Sequence, residues 1–207
     1  MKAYLDMNGK IRLIACGVFR SALNNLNLEN RHPELQVTFL PSNLHLQPQK
    51  LRNTLLEKIG GTKARDEITL CLYGNCFSDM DDFCRHYGVF KVPGIHCFEM
   101  LLGTEPYENI INEIVGTYFV ERDLIVNFKK HCVEPLALWD DEIRRALFKS
   151  YSRLLYIRQP SDPNLTPQAM ELARFLALRL EIRDADYRYL DQSLANLIEV
   201  FNQRVCG

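Results

Sequence analysis

Residues 67–73, EITLCLY, are nearly all apolar after the first. A run of this kind is typical of a strand buried on both faces, which means a parallel sheet covered by helices. The chain before it supplies both kinds of element. Residues 10–16 (KIRLIAC) follow an Asn8-Gly9 turn and read as a first strand. Val18, Leu23 and Leu26 give one face to a helix over 18–28. Residues 35–40 (LQVTFL), β-branched and aromatic, form a second strand ending at Pro41. Residues 47–59 then read as a helix with Pro48 near its first position. Leu51, Leu55 and Ile59 share one of its faces, and Gly60-Gly61 stops it.

Beyond the quoted run the alternation continues. Residues 89–92 make a short fourth strand and 116–120 (GTYFV) a fifth. Asp140, Asp141 and Glu142 put acid in the first turn of a helix whose apolar positions are Ile143, Leu147 and Tyr151. Residues 154–157 are another strand. Thr166 then caps a helix with Pro167 at its first position and Leu172, Phe175 and Leu176 as its apolar residues. Residues 178–182 alternate apolar with charged, as a strand near a sheet edge does. Tyr187, Leu190, Leu194, Leu197 and Phe201 recur at helical spacing and close the chain. The expected fold is α/β: an open, mostly parallel sheet with helices on both faces, Rossmann-like, in a single domain over 1–207. Residues 159–164 (QPSDPN) are the best candidate hinge and read as a turn within that domain.

The 207 residues suffice for one sizeable core, and with 47% apolar and 25% charged residues they are not a disordered chain. Twenty-five basic and 26 acidic groups leave a net charge of -1 with no basic block. Neither nucleic acid nor an anionic membrane is therefore an expected partner. Asn8, Lys10 and Arg12 interrupt any N-terminal apolar run, and no later stretch is long enough to span a bilayer, so the expected compartment is the cytoplasm. There the seven cysteines stay thiols, as small core residues, ligands or reactive groups.

The common signatures of such folds are missing. Gly17 follows the first strand without the partners of a G-x-G-x-x-G turn, and there is no Gly-Lys-Ser/Thr loop, no G-x-S-x-G elbow and no H-E-x-x-H helix. What remains is position. Ligands of open parallel sheets bind outside the carboxyl ends of the strands. The first strand ends at Cys16; the loop after the second carries His45, that after the third Cys76, and that after the fourth His96 and Cys97. Thiolates with imidazole are a zinc ligand set, and thiolates also hold iron–sulfur clusters. Cys16, His45, Cys76 and Cys97 are the candidate metal ligands, with His96 an alternative beside Cys97. Cys16 and Cys76 each precede an expected helix start, where the dipole favours thiolate. Gly74 and Asn75 offer backbone N–H groups as an anion-binding nest, with an ordinary turn as the plain alternative. Arg20 and Glu99 are candidate supports for the ligands.

The remaining candidates read as structural. Cys71 lies mid-strand and Cys84 beside Phe83, so both are assigned to packing. His131 and Cys132 end a helix, His32 and His86 lie in polar surroundings, and Cys206 is a tail thiol.

The stretches 15–20 (ACGVFR), Leu44-His45 with Pro48 and Leu51, 72–76 (LYGNC), Cys97 with Leu101-Leu102-Gly103, and Gly116-Thr117-Tyr118 resemble an uncharacterised family, domain of unknown function 1638. The resemblance runs from Cys16 into the closing helix. It departs from the family pattern twice: Ile95-His96-Cys97 stand where the family has a His two residues before the late Cys, and Phe77 stands where it has Gly. The resemblance implies an origin in methanogens or other anaerobes. It also implies an accessory role near corrinoid-dependent one-carbon or methylamine metabolism, with a corrinoid protein or methyltransferase as partner. Three functions follow as expectations: a metal-binding protein, zinc foremost; a non-catalytic module that carries a corrinoid or an iron–sulfur cluster; and a thiol enzyme with Cys76 as nucleophile and His45 or His96 as base.

Overall fold

Among the described residues, seven strands form two open sheets, each wholly parallel. The computed structural model describes residues 10–60 and 67–205, with side chains as far as Gln203. The Asn8-Gly9 turn, Gly61 of the helix stop and Cys206 lie outside the described residues. The alternation of strand and helix is thus distributed over two sheets, in two compact units: Met1–Cys97 with Leu190–Gly207, and Phe98–Tyr189.

The first unit is built on β1 (Lys10–Cys16), β2 (Leu35–Leu40), β3 (Glu67–Leu72) and β4 (Val89–Lys91), in the order β2-β1-β3-β4. Leu13, Ile14 and Ala15 of β1 and Leu70, Cys71 and Leu72 of β3 are all at most 2% exposed. Consecutive residues point to opposite faces, so both faces are covered, as the apolar run requires. A 3-10 turn (Gly17–Phe19) leads from β1 into α1 (Arg20–Asn25) and α2 (Leu28–Arg31). The single helix expected over 18–28 is broken at Asn27, which takes a left-handed φ of 51° that asparagine tolerates. A second 3-10 turn (Ser42–Leu46) precedes α3 (Pro48–Ile59), where Pro48 opens the helix and Leu51, Leu55 and Ile59 are buried. α4 (Met80–His86) joins β3 to β4.

The chain winds from β1 outward to β2, returns to β3 on the other side of β1, and continues to β4. The winding therefore reverses between β1 and β3, which is where an open α/β sheet forms its ligand crevice.

The second unit takes in most of α5 (Cys97–Leu102), then α6 (Thr104–Glu113), β5 (Thr117–Val120), α7 (Arg122–Phe128) and a π-helical turn (Lys129–Val133). It continues with α8 (Asp141–Phe148), β6 (Arg153–Arg158), α9 (Thr166–Leu176) and β7 (Arg179–Asp184). The order β5-β6-β7 puts β7 at an edge, as its alternating pattern suggests. Val120, Leu154 and Tyr156 pack with Ile125, Phe128, Leu165, Ala169, Leu172 and Leu176 in one core. Arg153, 1% exposed, donates to Thr117 Oγ1 at 2.8 Å, the Ile110 carbonyl at 2.8 Å and Glu181 at 2.7 Å. A charge so buried persists because it is paired and hydrogen-bonded.

Thr166 is the first residue of α9 and not its cap; Asn164 Oδ1 accepts its N–H at 3.2 Å, so Pro167 falls one position later than expected. In α8 the apolar positions face outward. Ile143 and Leu147 are 40% and 48% exposed and Phe148 is the buried residue, while Tyr151, beyond the helix, packs its ring against Tyr118 and Phe148. α10 (Arg188–Val205) closes the chain and buries Leu190, Leu194, Ile198 and Phe201. No helix of the described residues is long and apolar enough to cross a membrane.

Candidate functional site

Two glycines shape the carboxyl edge of the first sheet. A Cβ on Gly17 would come within 3.1 Å of the Leu40 carbonyl oxygen and 3.3 Å of the Ser42 nitrogen. The chain leaving β1 can therefore pass against the end of β2. A Cβ on Gly74 would lie 2.5 Å from the Ile95 carbonyl oxygen and 2.9 Å from the His96 Cα, so only glycine fits there. Across that close approach the Asn75 N–H donates to the Ile95 carbonyl at 2.7 Å, and the Cys76 N–H donates to the Gly74 carbonyl at 2.8 Å. The segment bearing His96 and Cys97 is thereby tied to the segment bearing Cys76. The same bonds turn the amides of Asn75 and Cys76 toward protein carbonyls. The Asn75 side chain donates to Asp81 at 3.4 Å.

Cys16 ends β1 opposite Leu40 and is 7% exposed; Cys76 follows β3 and is half-buried. Tyr73, which follows β3 three residues before Cys76, is 1% exposed, and its hydroxyl has no hydrogen-bond partner among the described residues. Burial pushes this phenol's pKa far up, and the thiols of Cys16, Cys71 and Cys76, all within electrostatic reach, raise it further. Burial also pushes the Cys76 thiol up, partly offset by the Lys91 ammonium and by a backbone hydrogen bond at Gly74. Cys76 does not stand immediately before a helix start as expected: α4 begins at Met80, four residues later.

His45 is exposed in the 3-10 turn after β2, with Nδ1 2.7 Å from the Ser42 carbonyl oxygen. Cys97 is half-buried at the start of α5, and His96 beside it is exposed. Arg20 stacks over the Phe39 ring, 4.1 Å from its centroid, and buried Glu99 accepts from Thr104 Oγ1 at 2.9 Å. Cys71 and Cys84, 1% and 2% exposed, are hydrogen-bonded to each other in the core; that bond, and then burial, push the Cys71 thiol up. The six described cysteines form no disulfide. Among the described residues no group of three or more His, Cys, Asp or Glu side chains is placed to hold a metal ion.

Two residues of this edge carry no signal in the sequence. Tyr73 is the last letter of an apolar run, and nothing there separates its hydroxyl from its ring. Lys91, its side chain 13% exposed, donates to the Gly94 carbonyl at 2.9 Å and pairs with Asp81 at 3.2 Å, which holds its charge near the thiols.

The second sheet carries its own polar cluster at the carboxyl ends of β5 and β6. Glu121, 6% exposed, caps α7 by accepting the Asp123 and Leu124 N–H groups at 2.8 Å and 2.9 Å. Burial raises its carboxyl to about 7, with small additions from Asp123 and Asp162. Asp162 accepts from the Tyr156 hydroxyl at 2.7 Å, and the buried Tyr187 hydroxyl donates to Gln159 at 3.0 Å.

A family model described as a protein of unknown function (DUF1638) matches residues 39–194, a span that includes His45, Cys76 and Cys97 and begins beyond Cys16. No curated protein and no solved structure matches the chain.

Proposed function

The chain belongs to the DUF1638 family of proteins of unknown function, and from that premise we propose that it binds a thiophilic metal ion, zinc foremost, at the carboxyl edge of β1 and β3. Cys16 and Cys76 are the thiolate ligands in this reading, and His45 and Cys97 complete the set. The observation that carries it is the Tyr73 hydroxyl, buried, without a partner among the described residues and within electrostatic reach of both thiols. Leaving such a donor unsatisfied costs about 1–3 kcal/mol. A protonated thiol is a weak acceptor, whereas a metal-bound thiolate is charged and accepts strongly. Metal binding would supply the acceptor that Tyr73 lacks.

His45 suits the same role. The Ser42 carbonyl can only accept, so Nδ1 is the donor, and in a neutral ring Nε2 is left with its lone pair for a metal. Lys91 favours the thiolate form at Cys76. The raised pKa of Cys76 disfavours the thiol-enzyme reading, since the nucleophile is the thiolate. All four ligands together would close the site as a structural one; with one of them unbound, an open position remains at which a metal activates a water or a thiol. That chemistry suits an accessory step in corrinoid-dependent one-carbon or methylamine metabolism in the cytoplasm, alongside a corrinoid protein or methyltransferase.

The test is anaerobic purification with elemental analysis for zinc, iron and cobalt and an absorption spectrum. Stoichiometric zinc in a colourless protein, lost in Cys16→Ser and in Cys76→Ser, is the expected result. Iron with sulfide and visible absorption would replace zinc by a cluster, and cobalt by a corrinoid. Retention of zinc by both variants would remove the site from this edge.

A further inference from the structure

We infer that the chain associates with a second copy of itself through the outward face of α8, the two helices running antiparallel about a twofold axis. This is independent of the metal reading and rests on a different part of the molecule. Ile143 and Leu147, one helical turn apart, are 40% and 48% exposed. Trp139, just before the cap, is 65% exposed, whereas Tyr151, just after the helix, packs against Tyr118 and Phe148 and is not counted in this face. Ala146 is exposed between Ile143 and Leu147. Exposed apolar side chains gathered in this way are of the kind that mark a protein–protein contact.

The charges beside this face say what covers it. At 100° per residue, Glu142 and Lys149 lie on the same flank of the Ile143–Leu147 stripe, at opposite ends of the helix. Both are exposed, and neither forms an ion pair among the described residues. Asp141, by contrast, is already paired with Arg144 and with Arg145. A second helix laid antiparallel brings each Glu142 opposite the Lys149 of the other copy, twice over by symmetry. A parallel pair would carry the charged flanks of the two copies to opposite sides and leave Glu142 and Lys149 without partners across the contact. Ala146 falls near the axis, where a small side chain lets two helices approach to about 8–10 Å. An isologous contact of this kind is self-complementary by construction. A membrane is the poorer occupant, because the acids Asp140, Asp141 and Glu142 balance the bases Arg144, Arg145 and Lys149, whereas an interfacial helix carries an excess of lysine and arginine.

Sedimentation velocity on the full chain across the micromolar range tests the inference. A concentration-dependent monomer–dimer equilibrium is expected. Glu142→Lys and Lys149→Glu should each weaken it about tenfold or more, since each sets two like-charge contacts across the interface. The double reversal should restore it, because the pairs re-form with their signs exchanged. Leu147→Asp should leave a monomer with unchanged circular dichroism. Trp139 is the one tryptophan of the chain, so its emission should move to shorter wavelength as the wild-type concentration rises and stay fixed in Leu147→Asp. A wild-type monomer at every concentration overturns the inference. So does a dimer that survives Leu147→Asp, or a double reversal that fails to recover what the single reversals lose.

Discussion

Tyr73 and Glu121 are buried polar groups at the carboxyl ends of the two sheets, and each makes a prediction at the scale of one side chain. Tyr73→Phe removes a hydroxyl that has no partner among the described residues, so the metal-free protein should be as stable as the wild type or up to about 1 kcal/mol more stable in chemical denaturation. The same change should weaken zinc about tenfold, the usual cost of losing a partner of a ligand; unaltered zinc affinity would separate Tyr73 from the site. Glu121 is held near 7 in the fold against 4.5 for an ordinary glutamate, so folding favours its neutral form. Its contribution is fully present below about pH 4.5 and is lost as pH rises to about 7, a fall of up to about 3 kcal/mol. Urea titrations of the wild type and of Glu121→Gln between pH 4 and pH 8 should show this slope only in the wild type. The strand-end positions of Cys16 and Cys76 were legible because the apolar runs before them stop there. The Tyr73 hydroxyl and the Lys91 ammonium were not, because their letters fit a strand equally well as core or as surface.

At the scale of the element, the strands were legible because burial on both faces leaves an unbroken apolar run. Helix faces were less so. In α8 the spacing of Ile143, Leu147 and Tyr151 defines an apolar face but not which way it turns. Orientation is fixed instead by the Asp140 cap, by Arg144 donating to the Leu138 carbonyl at 2.7 Å, and by Phe148 against Tyr118. Phe148→Ala should therefore cost about 3–5 kcal/mol by the cavity it leaves. Leu147→Ala should stay within about 0.5 kcal/mol in dilute solution, as an exposed position does. Thermal unfolding of the two variants decides between this orientation and the one that the pattern alone suggests. Gly74 is the matching case for a turn. Alanine there must push the Ile95–His96 backbone away from β3, at about 1–3 kcal/mol by analogy with overpacking, and should loosen the tie between Cys76 and Cys97.

For the molecule as a whole, the parallel α/β class could be read from the order of elements, whereas the division into two sheets could not. Alternation specifies strands and crossovers, but which strands share a sheet is decided by side chains far apart in sequence. Arg153 is the clearest case: it joins β6 to Thr117, Ile110 and Glu181, and none of these is its neighbour in the chain. The boundary between the units is silent too, because Cys97 and Phe98 lie inside α5 and no glycine- or proline-rich linker marks the place. The second unit is nonetheless one unbroken segment. Its core joins β5 and β6 to α7 and α9 using residues of 98–189 alone, and the Arg153 network closes within the same segment. A fragment of residues 98–189 should thus fold unaided, with a cooperative thermal transition in circular dichroism. The first unit has no such fragment, since Leu190–Gly207 joins it from the far end of the chain. The pH dependence assigned to Glu121 should persist in the fragment, because Asp123, Tyr156 and Asp162 accompany it. A fragment without a cooperative transition would mean that the second core depends on the first. A cooperative transition that has lost the pH dependence would instead place the Glu121 environment under the control of residues outside 98–189.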